Sequence, residues 1–300
     1  MVNVENLISQ GKKHFLMKEY EQASDNFAEA CELLAETFGE MADECAEPLY
    51  LYGKALLEAG RMENNLLNNN ENDSEADEED ETQNIEDTTH KLNNIEPFDD
   101  EPLNNSETLD NITNYQLAWE VLDSSRLIYE KKNDKDSQTK LADTYLKLGE
   151  LSLELENYEK AISDLINCLE IQNIYLQPYD RRLAETHYNL SLSYSLLSNY
   201  DSAIKSINDA INTIKNRINY LNNLPTSSDF SDSKNEVEEL EALLKDLHDK
   251  LQDYRESKER PFQIPSFING TSSSSQLPQN KETQGKIDDV THLVKRKTKE

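Results

Sequence analysis

The sequence predicts an all-α fold: a solenoid of four helical hairpins, the second interrupted by a disordered acidic insert, closed by a long C-terminal capping helix. Three observations predict it. Small residues recur at matched places in helix-length segments, with large apolar residues between them. The stretch Glu71–Asp110 holds sixteen carboxylates against one cation, Lys91, and splits one of these segments. Beyond the last segment, two apolar runs alternate at spacings of three and four, as a helix–helix seam requires.

The hairpin with this spacing is the tetratricopeptide (TPR) repeat. Small residues at its eighth, twentieth and twenty-seventh places let two antiparallel helices approach, and large apolar residues fill the gap. The first unit places Gly11, Ala23, Phe27 and Ala30 at the eighth, twentieth, twenty-fourth and twenty-seventh places. The second opens with Leu49, Tyr52 and Gly53, and resumes near Ile112 with Ala118, Leu122 and Ser125. The third has Tyr145, Leu148, Gly149, Ala161, Leu165 and Cys168. The fourth has His187, Leu190, Ser191, Ala203, Ile207 and Ala210. Units one and two, and units three and four, are offset by 42 residues, so the second helices should exceed the usual length by about two turns.

Ile204, Ile207, Ile211, Ile214, Ile218 and Leu221 form one seam, and Val237, Leu240, Leu244, Leu247, Leu251 and Tyr254 the other. A second helix folding back on the first would cap the solenoid, as terminal repeats need. An intermolecular coiled coil is the rival reading. The expected divisions are 1–63 (first hairpin and first helix of the second), 64–111 (acidic insert), 112–221 (the remaining hairpins), 222–235 (linker), 236–260 (capping helix) and 261–300 (a disordered tail with a basic end). The insert, with its core Glu75, Asp77, Glu78, Glu79, Asp80 and Glu81, lacks the apolar surface to offset its ordering entropy. A long loop adds little closure cost, so the split hairpin should still form.

A net charge of −30 over 300 residues predicts repulsion from nucleic acid and from anionic lipid, and attraction to basic proteins. No apolar run reaches membrane-spanning length, and no secretory leader is evident. Three cysteines without metal-ligand spacing point to a reducing compartment. No phosphate loop, nucleophile elbow or paired metal-binding cysteines occur. Of the histidines, His14 and His187 hold places normally aromatic, where packing is the expected role. Trp119 reads as core. No enzyme, cofactor or metal site is expected.

What remains is a binding surface. First helices line the concave face of such a stack, at the second, fifth, ninth, twelfth and thirteenth places. These places select Glu47 and Tyr50 in unit two, Asp143, Glu150 and Glu154 in unit three, and Glu185, Tyr188 and Leu192 in unit four. An acidic groove with apolar interludes suits a basic amphipathic segment. Lys12 and Lys54 stand isolated among Glu5, Glu47, Glu150, Glu154 and Glu185, the wrong charge for holding an acidic chaperone tail. At the far end, Lys295, Arg296, Lys297 and Lys299 form a basic cluster that reads either as a nuclear-import signal or as an ordinary charged tail.

Gly11-Lys12-Lys13-His14, Glu47–Glu63, Leu117–Asp123, Lys147–Glu150, Glu156-Asn157-Tyr158, Asp180–Tyr188 and the closing Asp289–Lys297 together resemble the nuclear autoantigenic sperm protein (NASP) family of histone chaperones. Its members carry four TPR motifs, the second interrupted by an acidic tract. The short, asparagine-rich tract here resembles a fungal, yeast-like member, and Ser191 stands where the family has glycine. The resemblance implies a nuclear, non-enzymatic chaperone of core histones, chiefly H3–H4. Cytoplasmic shuttling and a histone acetyltransferase complex as companion follow from the same resemblance. It leaves open the other core-histone pair, linker histone, the centromeric H3 variant and a homodimer. It also implies that Glu150, Glu154, Glu185, Tyr188 and Leu192 contact a histone H3 segment. The acidic insert is expected to screen the histone's DNA-binding face by many weak, salt-sensitive contacts. The alternative function is a non-catalytic scaffold subunit of a chromatin-modifying or co-chaperone complex.

Overall fold

The computed structural model describes residues 2–73, 106–223 and 230–260, with side chains placed for 3–65, 114–223 and 234–260. The insert core Glu75–Glu81, the tail 261–300 and its basic cluster lie outside the described residues. The described chain is helical: α1 (Val2–Leu16), α2 (Tyr20–Phe38), α3 (Ala46–Asp73), α4 (Ser106–Glu130), α5 (Lys135–Glu154), α6 (Tyr158–Tyr175), α7 (Arg181–Leu196), α8 (Tyr200–Asn222) and α9 (Phe230–Glu259), with a short 3-10 turn, Asp43–Cys45, before α3. Each odd-numbered helix through α7 pairs with the helix after it, and each pair stacks on the next.

The small residues do what their spacing predicts. A Cβ built on Gly11 would lie 2.6 Å from the Phe27 ring, one on Gly53 2.5 Å from Leu122 Cγ, and one on Gly149 2.7 Å from Leu165 Cγ. Ala23, Ala118, Ala161 and Ala203 are fully buried on the facing helices. In the fourth hairpin Ser191 takes the glycine's place, buried, its hydroxyl donating to the Tyr188 carbonyl at 2.7 Å. The split hairpin keeps the same packing. Leu56, Leu57, Tyr115, Ala118 and Leu122 form one cluster across α3 and α4, and Ser125 donates to the Ala46 carbonyl at 2.8 Å.

Three hairpin turns share one geometry. Lys18, Glu156 and Ser198 each take a left-handed backbone, with φ of 61°, 56° and 56°. The next residue's N–H then reaches back over the last helical turn: Glu19 to His14, Asn157 to Ser152 and Asn199 to Tyr194, at 3.0, 2.8 and 2.8 Å. These bonds satisfy carbonyls that the helix end leaves unpaired. Asn157 and Asn199 then cap α6 and α8, and Asp134 and Asp180 cap α5 and α7, each through its side-chain oxygen.

The helix α9 caps the solenoid. Leu240, Leu247, Leu251 and Tyr254 pack with Ile207, Ile211, Ile214 and Leu221 in one core. Arg217 grips Glu236 through two bonds of 3.0 Å, and Lys258 bonds Asp201, which fixes α9 antiparallel to α8.

Three features differ from the sequence reading. Trp119 is 41% exposed, not core. It follows the buried Ala118, and on α4 the inward face is already taken by Tyr115, Ala118, Leu122 and Ser125. The hairpin helices outrun the expected insert limits, α3 to Asp73 and α4 from Ser106, because neither glycine nor proline interrupts 61–73 or 106–113. The linker is shorter than expected too, since α9 begins at Phe230.

Two outcomes follow from this packing. Gly149→Ala should destabilise the chain by about 1–3 kcal/mol, the range for overpacking a filled core. In a Leu165→Ala background it should cost less, since the offending Cγ is gone. Urea denaturation of the two single variants and the double variant decides it; equal costs in both backgrounds would refute the clash. The second concerns His187, half-buried in the aromatic place. Burial lowers its imidazole pKa from 6.5, against the pull of Asp209. The unfolded chain therefore binds this proton first, so the contribution is intact above about pH 6.5 and is lost as pH falls toward the lowered folded value. The stability difference between His187→Phe and the wild type should shift toward the variant through that window, as melting at several pH values would show.

Candidate functional site

The first helices α1, α3, α5 and α7 present one continuous face, shown by the ion pairs that cross from each to the next. Glu47 of α3 receives Lys12 of α1 at 3.0 Å and Lys140 of α5 at 2.7 Å. Arg61 of α3 donates to Glu58 at 2.8 Å and reaches α5, to Glu154 at 2.6 Å and Glu150 at 3.2 Å. Lys147 of α5 bonds Glu150 at 2.6 Å and approaches Glu185 of α7 at 3.9 Å. Arg182 of α7 stands 3.8 Å from Asp143 of α5 and holds Asp180 at 2.8 Å.

The sequence-selected residues divide into three kinds. Glu150 is buried, 6% exposed, and its charge is met from both sides by Arg61 and Lys147. Glu47 and Glu154 are paired but reachable by solvent. Glu185 is 49% exposed with, among the described residues, only the distant Lys147, beside Tyr188, also exposed, and Leu192, half-buried. Tyr50 sits among Asp143, Glu150 and Glu185; burial chiefly, then these carboxylates, push its phenol pKa up. Burial also raises Asp143 above the usual carboxylate value, against Arg182 and Lys147. Hydrogen bonding from Lys140 holds Glu47 below it despite partial burial. For Arg61, burial opposes the charge, yet Glu154, Glu150 and Glu58 more than restore it.

Beyond Lys12 and Lys54, the cations of this face are what sequence reasoning missed. Lys12, Lys54, Arg61, Lys140, Lys147 and Arg182 face Glu47, Glu58, Asp143, Glu150, Glu154, Asp180 and Glu185, six against seven. The face is close to balanced rather than strongly acidic. The spacings Glu58–Arg61 and Lys147–Glu150 were legible as same-face pairs on a helix. The partners 89 and 93 residues away were not. Lys54 lies 4.6 Å over the Phe15 ring, so its stem and charge are both engaged.

Two repeat descriptions match the chain: SHNi-TPR over residues 142–178 and the tetratricopeptide repeat over 184–216. Protein HGV2 of Halocynthia roretzi is 29% identical across 98% of this chain and 83% of its own length. The nuclear autoantigenic sperm protein of Homo sapiens is 43% identical across 37% of this chain. The NASP-related protein sim3 of Schizosaccharomyces pombe is 29% identical across 84% of this chain and 74% of its own length. The chain is thus similar to NASP-type proteins along most of its length. Its matched stretch spans 14% of the human protein's length. A solved structure of the yeast histone chaperone Hif1 shares the fold, with a TM-score of 0.50 and 12% identity over 86% of this chain and 97% of that one. The SHNi-TPR match and the geometry meet on the same segment, since residues 142–178 contain Asp143, Glu150, Glu154 and Lys147.

The buried pairing of Glu150 has a measurable consequence. Arg61→Leu should cost about 1–3 kcal/mol, because a buried carboxylate loses one of its two cations. Adding Glu150→Gln should recover part of that loss. A double variant as unstable as the sum of its parts, in chemical denaturation, would mean that the two residues are uncoupled.

Proposed function

We propose that this NASP-type chain is a non-catalytic chaperone of core histones, chiefly H3–H4, acting in the nucleus. The observation that carries the reading is the accessible end of the first-helix face. There the exposed carboxylate of Glu185 stands beside the exposed ring of Tyr188 and the half-buried Leu192. That combination takes a segment with an Arg or Lys next to an apolar side chain. The relatives add support, for they include histone-binding protein N1/N2 of Xenopus laevis as well as the nuclear autoantigenic sperm proteins.

The balanced face gives the residues different work from the one their composition suggests. Glu150 is satisfied within the chain and sets the geometry of α3 against α5. Glu185 has the weakest internal partner and is the carboxylate that an incoming cation wins most easily. Glu154 and Glu47 exchange a partner only against competition from Arg61, Lys12 and Lys140. The stretch 71–110, with its sixteen carboxylates, adds a second, sequence-tolerant and salt-sensitive attraction to a histone's basic surface. Basic histones are thereby kept from non-specific contact with DNA until transfer. Assembly with a histone acetyltransferase complex, and passage through the cytoplasm, fit the same role.

The test is binding of the full chain to H3–H4 and to the other core-histone pair across a salt series. Nanomolar affinity for H3–H4 should persist at physiological salt. Glu185→Lys should weaken it by about 1–2 kcal/mol, and Tyr188→Ala by a similar amount. Removing 71–110 should flatten the salt dependence. Equal micromolar binding of both pairs, lost at physiological salt, would leave generic acidity and favour a scaffold role instead.

A further inference from the structure

An open trough of about 480 Å³ lies between α7, α8 and α9. Its size falls in the roughly 300–1,000 Å³ span of ligand sites. The floor is apolar and buried: Ala184 of α7, Ile214 of α8 and Leu247 of α9. Its two walls each raise one large, partly exposed side chain, Tyr188 from α7 and Leu243 from α9, both 37% exposed. Each wall also carries a carboxylate, Glu185 on α7 and Asp246 on α9.

The register of α9 explains the second wall. Its seam residues Leu240, Leu244, Leu247 and Leu251 pack toward α8. Leu243 and Asp246 stand off that seam, three apart and so on one stripe of the helix, turned to the trough. A leucine there serves no contact in the capping core. Each wall also carries a cation: Arg181 on α7, 3.9 Å from Glu236, and Lys250 on α9, 5.5 Å over the Tyr254 ring. Asp246 makes no ion pair among the described residues, and Glu185 has among them only the 3.9 Å approach of Lys147. The trough therefore sets one loosely matched carboxylate on each side of an apolar floor, and these are the groups that an incoming cation reaches.

We propose that α9 is the second wall of the binding site, and that the trough seats one turn of an amphipathic helix from the basic partner. A bulky apolar side chain enters between Tyr188 and Leu243, and Arg or Lys residues about one turn away on that helix meet Glu185 and Asp246. A helix supplies this pattern because residues three and four apart share a face. This rests on the histone reading above and extends it from the repeats to the cap.

The experiment uses the full chain and H3–H4 as the probe. Leu243→Asp, Asp246→Lys and, as a control elsewhere on the exposed surface of α9, Glu241→Lys are each measured for affinity and for melting temperature. Leu243→Asp and Asp246→Lys should each weaken binding by about tenfold or more, with Glu241→Lys near wild type. Where Leu243→Asp lowers the melting temperature, Asp246→Lys decides, since Asp246 is exposed. Wild-type affinity in Asp246→Lys, or an equal loss in Glu241→Lys, overturns the proposal and leaves the histone reading intact. Absence of H3–H4 binding by the wild type removes the histone reading and this proposal with it.

Discussion

The close approach of two helices within each hairpin is the constraint on which the rest of the structure depends. Gly11, Gly53 and Gly149 each have a side chain of the partner helix where a Cβ would stand. Once the backbones are this near, Phe27, Leu122 and Leu165 fill the gap completely, and each hairpin becomes a rigid unit. Rigidity of the unit fixes which face of α1, α3, α5 and α7 looks outward, and hence which charged residues meet across repeats. The ion pairs of that face follow from the packing. They did not create it, since most are half-exposed and contribute little individually.

The charge distribution has a functional reading that net charge alone conceals. The chain carries −30, yet the face of the first helices holds nearly as many cations as carboxylates. A uniformly acidic groove would attract any basic chain and would be destabilised by its own repulsion. A balanced one admits only a partner that can outcompete an internal cation or reach a carboxylate left poorly matched. Glu185 is such a carboxylate. In the proposed function selectivity would reside in the groove and long-range attraction in the stretch 71–110, whose composition is suited to it.

The four hairpins were legible because a repeat states its packing several times over. The same places hold Ala23, Ala118, Ala161 and Ala203, and one accidental match does not recur four times. The cap was legible from a seam with a fixed period. Trp119 was misread because its size suggested burial, while the face it occupies is set by its neighbours Ala118 and Leu122. The pairing of Arg61 with Glu150 and Glu154 was invisible because it depends on how one hairpin stacks on the next, a rotation that no local spacing encodes. The candidate residues were thus legible as places on one face, whereas their individual pairing states needed the assembled solenoid.

The split hairpin shows how little continuity this architecture requires. Closing a loop costs free energy that grows only with the logarithm of its length, about 0.6 kcal/mol for each doubling. Against that stand the burial of Leu56, Leu57, Tyr115 and Leu122 and the bonds from Asn64 to Tyr115 and from Asn114 to Glu63. A few buried leucines outweigh several doublings, at about 1.5–3 kcal/mol each. The break also falls at the one kind of position where it does not disturb the groove, the turn between first and second helix. In the other three hairpins that turn is only a few residues long, built around Lys18, Glu156 and Ser198. The stretch between α3 and α4 therefore stands in the place of a short turn, and the first-helix face is assembled from the same helices as in an unbroken hairpin.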